Sequence, residues 1–183
     1  MVKKTPRGEI IGTEDELDFL KAIEKFDCQD KDVENFLKKQ AIELDRRRKS
    51  RTYLFFDEDD SGEIIILGYF TLTMKTLPFR DCVSKTTIKK IDWSFKDVNS
   101  TEAVLIGQIG KSLFYKDRLS GKSLLDMAVE VVYASSDLIG GRVVFLECSN
   151  NEKIVKFYQD NGFLFLQNSD GGKYLQMIRY LWD

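Results

Sequence analysis

The chain has 183 residues, of which 43% are hydrophobic, and its 28 basic and 30 acidic side chains leave a net charge of -2. A chain of this size buries one substantial core, which predicts a single domain over 1–183. The near-neutral charge excludes bulk attraction to nucleic acid or anionic membranes. The sequence contains no histidine, which also excludes serine–histidine triads, cysteine–histidine dyads and histidine-ligated zinc sites.

Cysteine usage and hydropathy predict the compartment of the protein. Cys28, Cys82 and Cys148 are widely spaced and odd in number, which argues against a disulfide framework or a zinc knuckle and fits a reducing cytoplasm. The longest apolar run, 64–74, is interrupted by threonines and is too short to cross a bilayer. We therefore expect a soluble cytoplasmic protein with no targeting segment, membrane partner or metal ion.

The N-terminal region predicts two helices after a flexible start over 1–12. Thr13 and Glu16 have the spacing of a capping box, and the apolar residues that follow repeat at helical intervals, which predicts a helix over about 14–25. A second helical period runs through 32–48, with charged residues on the other faces. Each helix is expected to bury one apolar stripe.

The middle of the chain predicts a β-hairpin and then a segment with no clear period. Residues 52–56 and 64–75 are rich in β-branched and aromatic side chains, and the stretch 57–62 between them has the composition of a turn. Residues 76–101 contain a proline and mixed charges, and we expect them to form a variable segment on the substrate side.

The second half of the chain predicts alternating strands and helices. Residues 103–110 indicate a central strand whose glycines, near its end, would weaken pairing and admit another molecule close to the main chain. A long amphipathic helix follows and is stopped by Gly140-Gly141, and the apolar stretch 143–146 predicts the next strand. Strand, helix and strand in this order predict a parallel crossover.

The C-terminal part predicts one more helix and two more strands. Ser149 and Glu152 have capping-box spacing for a helix that Gly162 ends. Strands are expected over 163–166 and 174–182. Helices and strands thus alternate along the chain, which predicts a mixed α/β class.

Two motifs in this half occur in an order and spacing that resemble the GNAT superfamily of N-acetyltransferases. The first is Arg118-Leu119-Ser120-Gly121-Lys122-Ser123, at the start of the long helix. The second runs from Asn151 through Phe157-Tyr158 to Gly162-Phe163. The resemblance implies a mixed α+β fold with a central mixed sheet of about six to seven strands and helices on both faces. The N-terminal part, including 68–72, resembles the toxin branch of that superfamily, which acetylates aminoacyl-tRNA.

The resemblance implies acetyl-CoA as the co-substrate. Unpaired amides at a helix N-terminus bind anions, so the pyrophosphate is expected where Gly121 permits close approach and Arg118 and Lys122 add positive charge. The resemblance further implies that pantetheine binds along the central strand, whose amides polarise the thioester carbonyl. The predicted cofactor-binding residues are Gln108, Ile109, Gly110, Lys111, Arg118, Ser120, Gly121, Lys122, Ser123 and Asn151.

The same resemblance assigns Tyr158 as the general acid that protonates the departing CoA sulfur. For the base that deprotonates the acceptor amine, Glu147 on the predicted strand is one candidate and an ordered water is another. Three features depart from the family pattern: Ser123 stands where glycine or alanine is usual, Ile154 stands where alanine is usual, and the stretch 111–117 before Arg118 is somewhat longer than the usual connection.

Each motif residue also has a purely structural interpretation, with Gly121 as a helix start, Tyr158 as an amphipathic core residue and Gly162 as a helix stop. Their joint occurrence favours an enzyme that transfers acetyl to a primary amine of a small molecule, peptide or aminoacyl group, acting as a monomer or homodimer. A catalytically silent CoA-binding module and a purely structural protein are the alternatives.

A toxin-type acetyltransferase of aminoacyl-tRNA is a further alternative. The basic run Arg46–Arg51 would contact RNA phosphates in that case, although cations at a helix C-terminus also complement the helix dipole. Members of the toxin branch tend to be basic, whereas this chain is slightly acidic. The sequence therefore does not favour the RNA contact.

Overall fold

A mixed sheet of seven strands runs through the computed structural model, which describes residues 3–6, 10, 13–93 and 97–182. The strands are β1 Lys3–Pro6, β2 Arg51–Glu58, β3 Ile64–Pro78, β4 Ser100–Lys111, β5 Val143–Ser149, β6 Leu164–Asn168 and β7 Tyr174–Tyr180. The helices are α1 Glu16–Glu24, α2 Lys31–Lys39, α3 Ala41–Arg46, α4 Lys85–Ile91, α5 Gly121–Ile139 and α6 Glu152–Asp160. Hydrogen bonding orders the strands as β1-β2-β3-β4-β5-β7-β6, which confirms the predicted mixed class and strand number.

Contacts group the chain into two compact units, Met1–Thr73 with Gly107–Ala128 and Met74–Ile106 with Val129–Asp183. Most of the predicted flexible segment 1–12 lies outside the described residues, but 3–6 form β1, which pairs antiparallel with β2. No helix in the described part of the chain is long and apolar enough to cross a membrane.

In the first unit, α1 begins without the predicted capping box. The Thr13 hydroxyl donates to the Ile10 carbonyl at 2.7 Å instead of capping the helix, and the N-cap residue, Asp15, makes no side-chain capping bond. The capping prediction is therefore wrong, because the hydroxyl is used by the turn that precedes the helix. The predicted helix over 14–25 is confirmed within the usual variation of helix ends.

The predicted helix over 32–48 is two helices, α2 and α3. Gln40 leaves helical geometry between them, with φ -123° and ψ -37°. The Asp30 carboxylate begins α2 by accepting hydrogen bonds from two first-turn amides at 2.9 and 3.4 Å. Leu37 and Ala41, on either side of the break, are both fully buried. The apolar period therefore marks the buried positions correctly but does not reveal a break of one residue.

The strands β2 and β3 form the predicted hairpin and pair antiparallel over 51–58 and 64–72. A buried carboxylate holds the entry into β2, because Asp45 is 1% exposed and accepts hydrogen bonds from the Thr52 amide at 2.8 Å and the Arg51 guanidinium at 2.9 Å. These donors offset the cost of burying the charge. The α1 and α2 helices pack on this hairpin through a shared apolar core that includes Phe26, Leu37, Leu54 and Tyr69.

The predicted parallel crossover is confirmed, and the two strand segments that it joins pair within the second unit. The strands β4 and β5 pair in parallel over 104–106 and 144–146. The helix α5 ends at Ile139, where Gly140 takes a φ of 79°, a left-handed conformation that glycine adopts without strain. The strand β5 continues beyond this three-residue ladder as far as Ser149.

The strand β7 pairs antiparallel with β5 on one side and with β6 on the other, which confirms the strands predicted over 163–166 and 174–182. The segment 76–101 contains α4, which Ser84 caps by accepting a hydrogen bond from the Thr87 amide at 3.1 Å. Residues 94–96 of that segment lie outside the described part. The apolar core of this unit includes Leu77, Ile91, Phe145 and Ile178.

Candidate active site

The end of β4 and the connection to α5 are tied together in the first unit. The Lys111 ammonium donates to the carbonyl oxygens of Lys116 at 3.0 Å and Leu119 at 3.4 Å. The Ser112 amide donates to the Leu67 carbonyl of β3 at 2.8 Å. The predicted pantetheine-binding stretch, residues 108–111, therefore leads directly into an anchored loop that ends at α5.

The N-terminus of α5 leaves two amides for a ligand. The Ser120 hydroxyl accepts a hydrogen bond from the Ser123 amide at 2.9 Å, and the two hydroxyl oxygens lie 2.7 Å apart. Of the amides predicted to bind phosphate, that of Ser123 is thus used within the helix cap. The amides of Gly121 and Lys122 donate no hydrogen bond to any protein group that the structure describes. They are the two available donors at this helix end.

The two predicted phosphate-binding cations make weak contacts with neighbours in the same unit. The Arg118 guanidinium lies 3.4 Å from the Glu58 carbonyl oxygen and 3.8 Å from the Asp57 carboxylate. The Lys122 ammonium lies 2.6 Å from the Asp126 carboxylate, one turn further along α5. The side chains of Arg118 and Lys122 are 43% and 67% exposed, and exposed ion pairs of this kind exchange easily. Both cations therefore remain available to an anion.

The absence of a side chain at Gly110 is explained by packing within the protein. A Cβ there would lie 2.6 Å from Cγ1 of Val33 and 3.1 Å from the sulfur of Cys28. The Gly110 carbonyl oxygen in turn lies 3.0 Å from the position of a Cβ at Gly68. The sequence predicted that a glycine here lets another molecule approach the main chain. At Gly110 the space is instead filled by α2 and the segment before it, so packing alone explains the glycine.

Tyr158 lies on α6 in the second unit and is half-buried. Its ring packs edge to face against Phe157 and Phe163, with centroid distances of 5.2 and 5.8 Å. Burial raises the pKa of the phenol well above its ordinary value, and the nearby Cys148 thiol adds to the increase. The side chain therefore remains a neutral hydrogen-bond donor at physiological pH, as a general acid must.

Asn151 begins α6. Its side-chain oxygen accepts hydrogen bonds from the amides of Lys153 at 3.0 Å and Ile154 at 3.4 Å. The predicted capping box of Ser149 and Glu152 is wrong, because Asn151 is the N-cap. The Asn151 carboxamide still has its NH2 group for a ligand, so its predicted contact with the cofactor stays a prediction.

Glu147 lies on β5 and is exposed. Its Oε1 accepts a hydrogen bond from Nε2 of Gln176 on β7 at 2.8 Å. Glu147 and Cys148 are consecutive in β5 and therefore project to opposite faces of the sheet. Gln176 is not among the predicted site residues, because its only signal in the sequence is a polar side chain inside an apolar strand.

Three of the five cations in the basic run Arg46–Arg51 lie beside carboxylates within the first unit. Its arginines Arg46, Arg47 and Arg51 lie 3.2, 2.6 and 2.9 Å from carboxylates of Glu16, Glu43 and Asp45, respectively. These pairs reduce the positive potential that the run presents to an RNA backbone.

No protein-family model matches the chain. A curated relative, a probable toxin TacT from Sinorhizobium fredii, is 25% identical over an alignment of 144 residues, and the match covers 75% of this chain and 75% of that protein. A solved structure of AtaT complexed with acetyl-methionyl-tRNAfMet has a TM-score of 0.72 at 20% identity and covers 96% of this chain and 94% of its own.

A second solved structure is a tyrosine-to-phenylalanine variant of the AtaT toxin, bound to the C-terminus of the antitoxin AtaR and acetyl-CoA. Its TM-score is 0.70 at 18% identity, and it covers 98% of this chain and 93% of its own. These matches confirm the GNAT-like fold and the predicted resemblance to the toxin branch.

Proposed function

We propose that this protein is an N-acetyltransferase that transfers acetyl from acetyl-CoA to the α-amine of an aminoacyl-tRNA. The observation that carries the proposal is the shared fold over nearly the whole chain with AtaT, whose solved structures contain acetyl-methionyl-tRNA and acetyl-CoA. The sequence relative named as a probable toxin supports the same function. The reaction is a specific form of the amine acetylation expected from the sequence. Its acceptor is aminoacyl-tRNA, which the sequence offered as a further alternative.

The first unit carries the groups suited to the CoA moiety. The free amides of Gly121 and Lys122 and the positive end of the α5 dipole favour a pyrophosphate at this helix end. Arg118 adds a guanidinium, which binds phosphate oxygens in a fixed geometry. Acetyl-CoA supplies a thioester, and the amides of 108–111 are proposed to polarise its carbonyl.

The second unit carries the groups suited to proton transfer. The acceptor arrives as an ammonium, and Glu147 is proposed to take one proton from it, which leaves a neutral amine. The amine nitrogen forms a bond to the thioester carbon, loses its second proton to water, and the intermediate collapses by breaking the carbon–sulfur bond. Tyr158 donates its proton to the departing sulfur and regains one from solvent, so the net products are amide, CoA thiol and one proton.

The acidic net charge and the internal pairing of Arg46–Arg51 argue against a broad electrostatic RNA surface on this chain. An aminoacyl-tRNA acceptor does not require a broad basic surface. The reacting group is the single aminoacyl end of the tRNA, and few phosphate contacts are needed to place it. We expect weaker salt dependence of acceptor binding than for a basic protein that contacts many phosphates.

The test is an acetylation assay with radiolabelled acetyl-CoA and a panel of acceptors. Aminoacyl-tRNA should be labelled, whereas deacylated tRNA and aminoacyl-tRNA with a blocked α-amine, as matched controls, should not. Labelling of free amino acids, polyamines or peptides in preference to aminoacyl-tRNA would support the acetyltransferase activity but contradict aminoacyl-tRNA as its acceptor. Thermal stabilisation by acetyl-CoA without turnover on any acceptor would instead favour the silent CoA-binding module.

A further inference from the structure

Three polar side chains form a row across three neighbouring strands of the second unit. Glu147 of β5 is the register partner of Gln176 on β7, and Gln176 is the register partner of Gln167 on β6. Register partners in antiparallel strands project to the same face of the sheet. Nε2 of Gln176 donates to Oε1 of Glu147 at 2.8 Å, and Nε2 of Gln167 donates to Oε1 of Gln176 at 2.7 Å.

A register shift in β6 brings Gln167 into this row. The pairing of β6 with β7 moves by one residue between Phe165 and Gln167, so that Gln167 instead of Leu166 is opposite Gln176. Leu166 is 8% exposed and packs in the apolar core of the unit. An extra residue of this kind redirects side chains, and such bulges are enriched beside active sites.

The main chain of residues 78–80 sets the direction of the hydrogen bonds in the row. The Arg80 amide donates to Oε1 of Gln167 at 2.9 Å, and Nε2 of Gln167 donates to the Pro78 carbonyl oxygen at 2.6 Å. Because a main-chain amide only donates and a carbonyl only accepts, one orientation of the Gln167 carboxamide satisfies both. Gln176 must then accept with its oxygen, which directs its NH2 group at Glu147.

The row is buried at one end and exposed at the other. Gln167 and Gln176 are 1% and 6% exposed, whereas Glu147 is exposed. Buried amides are tolerated when their hydrogen bonds are made, and this network satisfies both amides with fixed partners. Within the described residues, Oε2 of Glu147 accepts no hydrogen bond, so the row ends at one free carboxylate oxygen.

We propose that Gln176 is a positioning residue that orients Glu147 as the base for the acceptor ammonium, an inference that rests on the proposed acetyltransfer. Oε1 is held by Gln176, and Oε2 takes the proton: the nitrogen–hydrogen bond breaks, an oxygen–hydrogen bond forms, and the nitrogen keeps the electron pair for attack. Without the Gln176 donor, the carboxylate is in the productive orientation for less of the time.

The test is a double-mutant cycle between Gln176→Met and Glu147→Gln, read as kcat and KM on the best acceptor. Gln176→Met should lower kcat by about tenfold, the kinetic equivalent of one hydrogen bond to a charged group, and leave KM for acetyl-CoA unchanged. In the Glu147→Gln background, the same substitution should change kcat by less than about twofold, because there is no longer a base to orient.

Two further variants make the cycle decisive. Gln176→Asn keeps the amide but is too short to reach Glu147, so it should reproduce the loss and can replace Gln176→Met if the latter does not fold. Gln159→Met, on an exposed position of α6, is the matched control and should keep full turnover. Equal fractional losses of kcat with and without Glu147 would overturn the positioning role alone. Absence of wild-type turnover on every amine would overturn the proposed function and this inference together.

Discussion

The Ser120 hydroxyl accepts a hydrogen bond from the Ser123 amide at 2.9 Å, and it thereby caps α5 at the end proposed to bind the CoA pyrophosphate. Aspartate accepts the same bond, so Ser120→Asp should retain the stability of the cap while placing a negative charge beside the bound anion. Ser120→Ala should lose about 1 kcal/mol of unfolding free energy. Thermal unfolding and calorimetric titration with acetyl-CoA measure the two effects.

We expect Ser120→Asp to weaken acetyl-CoA binding by about tenfold, equivalent to about 1.4 kcal/mol, with little change in stability. Ser120→Ala should lower the stability and leave the affinity for acetyl-CoA nearly unchanged. If Ser120→Asp bound acetyl-CoA as tightly as the wild type, the pyrophosphate would have to be held elsewhere.

Removal of the Tyr158 hydroxyl should separate chemistry from binding. Because the phenol stays protonated and is proposed to donate to the leaving sulfur, Tyr158→Phe should lower kcat by about a hundredfold and leave acetyl-CoA affinity nearly unchanged. Tyr133→Phe, at another partly buried tyrosine of the same unit, is the control. Unchanged turnover in Tyr158→Phe would remove the assignment of Tyr158 as the acid.

Addition of a methyl group at Gly110 should destabilise the fold. The new Cβ would lie 2.6 Å from Val33, so we expect Gly110→Ala to cost about 1–3 kcal/mol in denaturant unfolding. Val33→Ala removes the nearer contact, and the double variant should recover part of that loss. If Gly110→Ala kept its stability and lost only acetyl-CoA binding, the glycine would serve the ligand and not the packing.

Glu34 should make the first unit sensitive to acid. Hydrogen bonds from Lys31, Lys38 and the Cys28 amide lower the pKa of its carboxyl from 4.5 to about 2. Since the folded pKa lies below the unfolded value, this stabilisation is fully present above pH 4.5 and is lost as the pH falls toward 2.

We therefore expect Glu34→Gln to lose about 1 kcal/mol at pH 7, a value reduced for the exposure of Lys31, and to approach the wild type near pH 2. Denaturant unfolding at a series of pH values measures the difference. Glu24→Gln, which makes the same chemical change at an exposed residue of α1, is the matched control. A constant difference between Glu34→Gln and the wild type at all pH values would contradict this account.

Local patterns in the sequence were sufficient for most elements. The β-hairpin, the crossover through α5 and the stop at Gly140 follow from apolar period, turn composition and glycine, all of which act over a few residues. The same short-range logic identified Ser120–Ser123 as a helix start and placed Tyr158 on α6. It was less reliable at helix ends, where Asn151 and not Ser149 is the cap, since several polar residues compete for the same amides.

The sequence by itself predicted the hairpin of β2 and β3, the strands β4 to β7 and the helices α1, α5 and α6, because each depends on neighbours along the chain, but it did not predict β1 or α4. Only the tertiary structure decided the break at Gln40, the packing against Gly110 and the row from Gln167 to Glu147. These depend on strand register and on contacts between residues far apart in the chain. A shift of one residue between β6 and β7 changes which side chain is opposite Gln176, and no local pattern encodes that shift.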